Sequence, residues 1–302
     1  MTTPSLPRTA FIGLGAMGYP MAGHLQTSGH RTVVYNRSAD KSTRWQAQYA
    51  GEVAPSPAEA AAQADIVMVC VGNDDDVRSV LLGAEGAIAR MKPGAVLVDH
   101  TTASVDLARE MHERCSDCGL GCLDAPVSGG QAGAENGQLT IMAGGTEAVF
   151  AKVSPVLKVY AKSLTLMGEA GAGQLTKMVN QICIAGVLQG LAEGLHFAER
   201  AGLDSNAVID AISQGAAQSW QMDNRHNTMI EDRFDFGFAV DWMRKDLGIV
   251  LTAARQLDVS LPLTALVDQF YGDVQNLGGG RWDTSSLIAR LRALSGHTPH
   301  SG

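Results

Sequence analysis

The sequence predicts an α/β protein in two parts: a doubly wound domain over residues 1–168, then an all-helical domain over 169–295, with a flexible tail at 296–302. Three observations carry this. Short runs of buried-strand composition alternate with helical segments through the first half. A glycine-rich loop sits at the first strand-to-helix turn. Beyond Gly168 strand signals almost vanish and helical periodicity takes over.

The strand runs are "TAFIGLG", "RTVVYN", "DIVMVCV", "AVLVDH" and "GCLDAPV", with helical stretches such as "MGYPMAGHLQTSG" and "SVDLARE" between them. Continuous apolar strands separated by helices imply a parallel sheet covered on both faces. "LTIMAGG" and "LTLMG" extend the pattern to residue 168. From Gly171 to about Gly202 one helical pattern runs without a break and joins the two parts, far above the usual helix length of about 11–12 residues. Further helices are expected at "DSNAVIDAISQGA", "WMRKDLGIVLTAARQL", "PLTALVDQFYGDVQNL" and "SSLIARLRAL".

The chain has 302 residues, long enough for two ordinary domains, and its 45% hydrophobic and 18% charged content fits a globular protein. A net charge of −8 argues against nucleic acid or an anionic membrane surface as partner. No apolar run is read as approaching the roughly 20 residues that span a bilayer. The N-terminus enters a strand before a signal peptide could fit, and five cysteines read as free thiols, so the expected location is cytoplasmic. His112, Cys115, Cys118 and Cys122 superficially resemble a metal site, but Cys122 falls on a strand and no second ligand cluster follows, so no metal is expected.

"FIGLGAMGYPMA" holds Gly13, Gly15 and Gly18 in the G-x-G-x-x-G spacing, on a strand–helix turn with a second strand beyond. The three glycines serve a tight turn, close approach to a pyrophosphate and close helix–strand contact. The helix N-terminus adds free N–H groups for the phosphates. This is a Rossmann-type dinucleotide site, with Leu14, Ala16 and Met17 completing the loop. At the end of the second strand Asn36 stands where an NAD-preferring fold usually has a carboxylate, and Arg37 and Ser38 follow. That pattern points to NADP as the preferred cofactor, with NAD as the alternative.

With that loop, three further motifs line up: "DAPVSGG", "GAGQLTKMVNQ" and "RKDLGIVL". Together they resemble the β-hydroxyacid dehydrogenases, the family of 3-hydroxyisobutyrate dehydrogenase and tartronate semialdehyde (2-hydroxy-3-oxopropionate) reductase. The resemblance spans residues 8–292 and implies a site in the crevice between the two domains and a homodimer or homotetramer. It implies that Lys177 is the catalytic lysine and Asn180 its substrate-binding neighbour. Ser128, Gly129 and Gly130 would receive the substrate carboxylate. Thr102 and Lys245 would contact the cofactor near its nicotinamide. The family often has Leu-Pro where this chain has Val71-Gly72, a loop that would touch the cofactor through its backbone.

The chemistry suits these groups. Oxidising a hydroxy acid removes a hydroxyl proton while hydride leaves the same carbon, and reduction runs the reverse. A lysine can exchange that proton when burial favours its neutral form. Lys177 and Asn180 are three apart and share a helix face. Gly171 and Gly173 permit close approach at the helix start, and the "SGG" turn offers a hydroxyl and backbone N–H groups to a carboxylate. The expected activity is therefore NAD(P)-dependent oxidation or reduction at a CH–OH group of a small carboxylate. Imine reduction is the alternative enzymatic reading, and Lys177 argues against it. A non-catalytic dinucleotide-binding assembly module is the third, and would have no need of Lys177, Asn180 and the "SGG" turn together. Trp220, Gln221 and Met222, with the aromatics of "FDFGFAVDW", are expected near the site without an assigned role.

Overall fold

In the computed structural model, which describes residues 6–296, the chain forms two compact units, Met1–Lys177 and Met178–Gly302. The tail expected from residue 296 lies, from 297 on, outside the described residues.

The first unit alternates from the start. Strand β1 (Thr9–Ile12) leads to helix α1 (Gly18–Thr27), β2 (Thr32–Tyr35) to α2 (Ala39–Tyr49), and β3 (Glu52–Val53) to the short α3 (Pro57–Ala61). Then come β4 (Ile66–Val69), α4 (Asp74–Leu82), β5 (Val96–Asp99), α5 (Val105–Asp117) and β6 (Gly121–Asp124). The unit closes with β7 (Val127–Ser128), α6 (Gly130–Glu135), β8 (Leu139–Gly145), α7 (Glu147–Leu157), β9 (Ala161–Gly168) and the start of α8 (Ala172–Arg200). The sheet order is β3-β2-β1-β4-β5-β6-β8-β7, with β9 on β8.

Strands β1 to β6 pair in parallel, as expected. The rest of the sheet is mixed, because β8 runs antiparallel to β6 and β7. "GCLDAPV", read as one strand, divides at Ala125-Pro126, and the two short pieces pair with opposite ends of β8.

Both sheet faces are buried, as the continuous apolar strands require. Ala10 and Ile12 of β1 face one core with Leu107 and Met111 of α5. Phe11 faces the other with Met21 and Leu25 of α1 and Trp45 of α2. That second layer holds a polar pin. His100, just after β5, bonds through Nδ1 to the Ala125 carbonyl at 2.7 Å and through Nε2 to the Tyr160 hydroxyl at 2.9 Å. A carbonyl only accepts, so Nδ1 carries the proton and Nε2 accepts from Tyr160. Burial pulls the His100 imidazole down to about 4, opposed by the Ala125 carbonyl, so the ring is neutral at pH 7.

The second unit continues with α8 and adds α9 (Ser205–Ile212), α10 (Trp220–Ile230), α11 (Val240–Gln256), α12 (Pro262–Asn276) and α13 (Leu287–Leu294). Its core gathers Leu188, Leu195, Met243, Leu247, Tyr271 and Ile288. Helix α10 has no counterpart among the expected elements. Its sequence, "WQMDNRHNTMI", is mostly polar and buries only Met222 and Met229, so the apolar period is weak. The Ser219 side chain caps its first turn by accepting the Met222 N–H.

The reading that no run could span a bilayer needs correction. Among the described residues, α8 is long and apolar enough by length and composition, with a mean hydropathy of 1.2 over its best window. The core helix of a globular unit meets the same description, and α8 supplies Ala185, Leu188, Leu191, Ala192 and Leu195 to the core of the second unit.

Tyr160→Phe removes the donor to His100 and leaves a buried ring nitrogen without it. The variant should lose about 1–3 kcal/mol of stability, read as a lower thermal midpoint at pH 7; an unchanged midpoint would show that the pin carries no weight.

Candidate active site

Every predicted site residue of the first unit except Lys177 falls at or just after the C-terminal end of a strand, where doubly wound sheets place their ligands. The loop after β1 is built from its glycines. Gly13 has φ +98°, donates its N–H to the Tyr35 carbonyl at 2.9 Å, and has no room for a Cβ, which would sit 2.2 Å from the Cys70 carbonyl. A Cβ on Gly18 would lie 2.0 Å from the Gly13 carbonyl and 2.8 Å from the Phe11 ring, so helix α1 rests on the strand at that point. Gly15 alone of the three faces open space. One glycine turns the chain, one packs the helix, and one leaves a side-chain-free wall at the helix start, so the residues fit a bound pyrophosphate.

Asn36 has a different task from the one a ribose contact would give it. Its Oδ1 accepts the Leu14 N–H at 2.8 Å and its Nδ2 donates to the Ser38 carbonyl at 3.1 Å, so the amide holds the glycine loop to the turn after β2. Arg37 beside it has a side chain 89% exposed, with Asp76 Oδ1 3.5 Å away.

The loops after β4 and β5 are tied together. The Val71 N–H donates to Thr101 Oγ1 at 3.1 Å, and Ser104 donates through its N–H and its hydroxyl to Asp74, at 3.0 and 2.5 Å. Gly72 and Thr102 lie within these two loops. At the far side of the sheet Ser128 ends β7, and Gly129 (φ +128°) and Gly130 (φ +62°) turn the chain into α6 with backbone angles that suit glycine.

Helix α8 begins on this rim. Asp124, at the end of β6, accepts the Gly171 N–H at 2.7 Å through Oδ1 and the Gln174 N–H at 2.8 Å through Oδ2. Gly173 packs so closely that a Cβ would sit 2.4 Å from the Met142 carbonyl, which realises the expected close approach through backbone. Burial pushes the Asp124 carboxyl up, opposed by the N–H groups of Gly171, Gln174, Asp124 itself and Gly173. Its register partner Asp99 is pushed up to about 7, by burial first, with the Thr101 hydroxyl and N–H opposing and the Asp124 and Asp74 charges adding. Lys177, one turn after Gln174, is 7% exposed.

The remaining two predicted residues belong to the second unit and are joined there. Asn180 Nδ2 donates to Gln181 Oε1 at 2.8 Å, Gln181 Nε2 donates to Asp246 Oδ2 at 2.7 Å, and Asp246 Oδ1 lies 3.0 Å from Lys245 Nζ. The buried Asp246 carboxylate thus divides its two oxygens between the lysine and the amide that orients Asn180. Lys245 Nζ also lies 5.9 Å from the centre of the Trp242 ring. Among the unassigned residues, Trp220 is half exposed with the Arg225 guanidinium 5.0 Å from its ring, and Met222 is core. Of the Cys/His spacing, Cys115 and Cys122 are buried, and among the described residues no group of three or more metal-ligating side chains assembles.

Sequence reasoning gave no role to Asp99, Asp124, Gln174 or Gln181. A signal was present for the first two: "VLVDH" and "CLDAP" put an aspartate at the same place in neighbouring strands. Gln174 and Gln181 flank Lys177 at one helical turn and leave no such mark.

Comparison with known proteins places the chain in a family. Residues 8–168 match the family described as the NAD binding domain of 6-phosphogluconate dehydrogenase, and residues 171–291 the one described as NAD-binding of NADP-dependent 3-hydroxyisobutyrate dehydrogenase. An uncharacterized oxidoreductase of Shewanella frigidimarina is 61% identical over 286 residues, 95% of this chain and 98% of that one. The 2-hydroxy-3-oxopropionate reductase of Escherichia coli is 34% identical over 293 residues, 96% of this chain and 99% of its own. The solved structure of Mycobacterium tuberculosis 3-hydroxyisobutyrate dehydrogenase with L-serine superposes with a TM-score of 0.86 at 31% identity, covering 95% of this chain and 99% of that one. Fold, loop and relatives define a nicotinamide-dependent oxidoreductase acting on a CH–OH group. The chain belongs to the β-hydroxyacid dehydrogenase family, of the 3-hydroxyisobutyrate dehydrogenase and tartronate semialdehyde reductase type.

The raised Asp99 carboxyl makes a stability prediction. Its native value lies above the unfolded one, so its contribution is present below about pH 4 and is lost as the pH rises through about 7. Asp99→Asn keeps an acceptor for the Thr101 N–H and removes the titration. The variant should gain on the parent between pH 4 and 7, by up to about 1.4 kcal/mol per pH unit, in urea midpoints compared at pH 5 and 8. A difference independent of pH would contradict the assignment.

Proposed function

We propose that the protein interconverts a small β-hydroxy carboxylate and its semialdehyde, with Lys177 as general acid and base and NADP as the preferred cofactor. The observation that carries the reading is the buried Lys177, one turn into a helix whose start is fixed by Asp124. The 3-hydroxyisobutyrate and 2-hydroxy-3-oxopropionate activities of the named relatives support a substrate of this class.

In this reading the loop Gly13–Gly18 holds the pyrophosphate on the α1 N-terminus, with Leu14, Ala16 and Met17 presenting backbone. Arg37, with Ser38 beside it, receives a 2′-phosphate, and Asn36 keeps that turn in place. Val71 and Gly72 present backbone to the cofactor, and Thr102 and Lys245 contact it toward the nicotinamide. When bound, the nicotinamide accepts or supplies the hydride. The chain's own work is to orient the substrate and manage one proton. The Ser128 hydroxyl and the N–H groups of Gly129 and Gly130 receive the carboxylate, and Asn180 hydrogen-bonds the reacting oxygen. In oxidation Lys177 Nζ takes the hydroxyl proton as hydride departs from the same carbon. In reduction it returns a proton to the forming alkoxide. A cytoplasmic homodimer or homotetramer belongs to the same proposal, and Val179 and Phe197 stand exposed on α8 as candidates for subunit contact.

Lys177→Ala should lower kcat by about 10²–10⁴-fold, the usual share of general acid–base catalysis, with cofactor affinity near that of the parent. The assay follows absorbance at 340 nm with 3-hydroxyisobutyrate, 2-hydroxy-3-oxopropionate and a cyclic imine. Parental turnover in the variant would refute the role, and consumption of the imine alone would replace the substrate class.

Arg37→Ala should lower kcat/KM for NADP by roughly 10–100-fold, as expected for a lost charge-assisted hydrogen bond, and leave the value for NAD nearly unchanged. Equal effects on the two cofactors would mean that Arg37 does not read the phosphate.

A further inference from the structure

We infer that Gln174 is a positioning residue for the proposed reaction: its carboxamide clasps the backbone on both sides of Thr102 and so fixes the cofactor loop against the helix that carries Lys177. The inference rests on the reading of Lys177 as acid and base and of Thr102 as a cofactor contact.

Gln174 is buried in the first turn of α8. Its Oε1 accepts the Ala103 N–H at 3.1 Å and its Nε2 donates to the Thr101 carbonyl at 2.7 Å. These two backbone groups bracket Thr102. A primary amide is the side-chain group that offers an acceptor and a donor at that separation without carrying charge. The backbone N–H of the same residue is held by Asp124, so the amide extends from a fixed point. The clasp also reaches further along the rim, because Thr101 Oγ1 accepts the Val71 N–H of the next loop. Lys177 follows three residues later, on the same face of the helix. One side chain thus links the loops after β4 and β5 to the proposed proton donor. A misplacement of about 1 Å between such groups costs on the order of 100-fold in rate.

Two substitutions separate positioning from plain structural support. Gln174→Met keeps the length and the apolar bulk and removes both bonds. Amide exchange at residues 101–103 should accelerate, and kcat should fall about 10–100-fold with little change in substrate KM. Gln174→Glu restores the donor only when the new carboxyl is protonated. Its kcat relative to the parent should therefore be highest at acid pH, fall as pH rises, and recover when the pH is lowered again. Taking the ratio to the parent removes the titration of the neighbouring Asp124, Asp99, Asp74 and Lys177. Both variants are assayed with whichever of 3-hydroxyisobutyrate or 2-hydroxy-3-oxopropionate the parent turns over faster, alongside Lys177→Ala.

Faster exchange with parental kcat in Gln174→Met would overturn the inference, and so would unchanged exchange. If Gln174→Met does not fold, a kcat ratio for Gln174→Glu that stays near one across the pH range overturns it. Parental turnover in Lys177→Ala would refute the underlying acid–base reading instead, whereas its loss beside a fully active Gln174→Met would refute the clasp alone.

Discussion

The site depends first on one buried carboxylate. Asp124 ends β6 and receives the first N–H groups of α8, at Gly171 and Gln174. A helix begins with N–H groups that have no partner within it, together with a partial positive charge. A carboxylate meets both needs, and in doing so it anchors the helix to the sheet edge that also presents Ser128. Burial opposes the charge on Asp124 and the N–H groups favour it. Strand end and helix start therefore stabilise one another, and removal of either would leave the other's polar groups buried without partners.

A second acid in the same layer shows how finely charge is held there. Asp99 pairs in register with Asp124, and two carboxylates on adjacent strands cannot both ionise cheaply in a buried setting. The structure divides the load. Asp124 collects helix N–H groups, while Asp99 has the hydroxyl and N–H of Thr101 and is pushed up to about 7. His100, the next residue, is held neutral by burial. The raised Asp99 carboxyl limits the negative charge that this row sets at the strand ends.

Much of this was legible in the sequence because it rests on local rules. The alternation of "TAFIGLG", "RTVVYN" and "DIVMVCV" with helices gave the parallel half of the sheet, and the spacing of Gly13, Gly15 and Gly18 gave the loop in which Gly13 turns the chain, Gly18 packs the helix and Gly15 faces open space. The antiparallel end of the sheet was not legible, since β7 has two residues and its pairing is decided by β8 across the chain. Helix α10 was missed because its apolar face is two methionines wide. The clasp and the Gln181–Asp246 bond were missed for a different reason. Gln174 reaches residues 71 and 73 positions away, and Asp246 reaches Gln181 across 65, so their meaning exists only after folding.

Asn36 illustrates how one position can answer two demands. A residue there must support the glycine loop, and here Oδ1 does so by accepting the Leu14 N–H while Nδ2 donates to the Ser38 carbonyl. A carboxylate could accept from Leu14 but could not donate to Ser38, and its charge would repel a phosphate on the adjoining ribose. The amide keeps both bonds and adds no charge, and the charged group at this turn is Arg37, whose guanidinium is exposed beside it. Under the proposed role of Arg37, selectivity at this turn would be a division of labour, with one side chain fixing the backbone and its neighbour reading the ligand's charge.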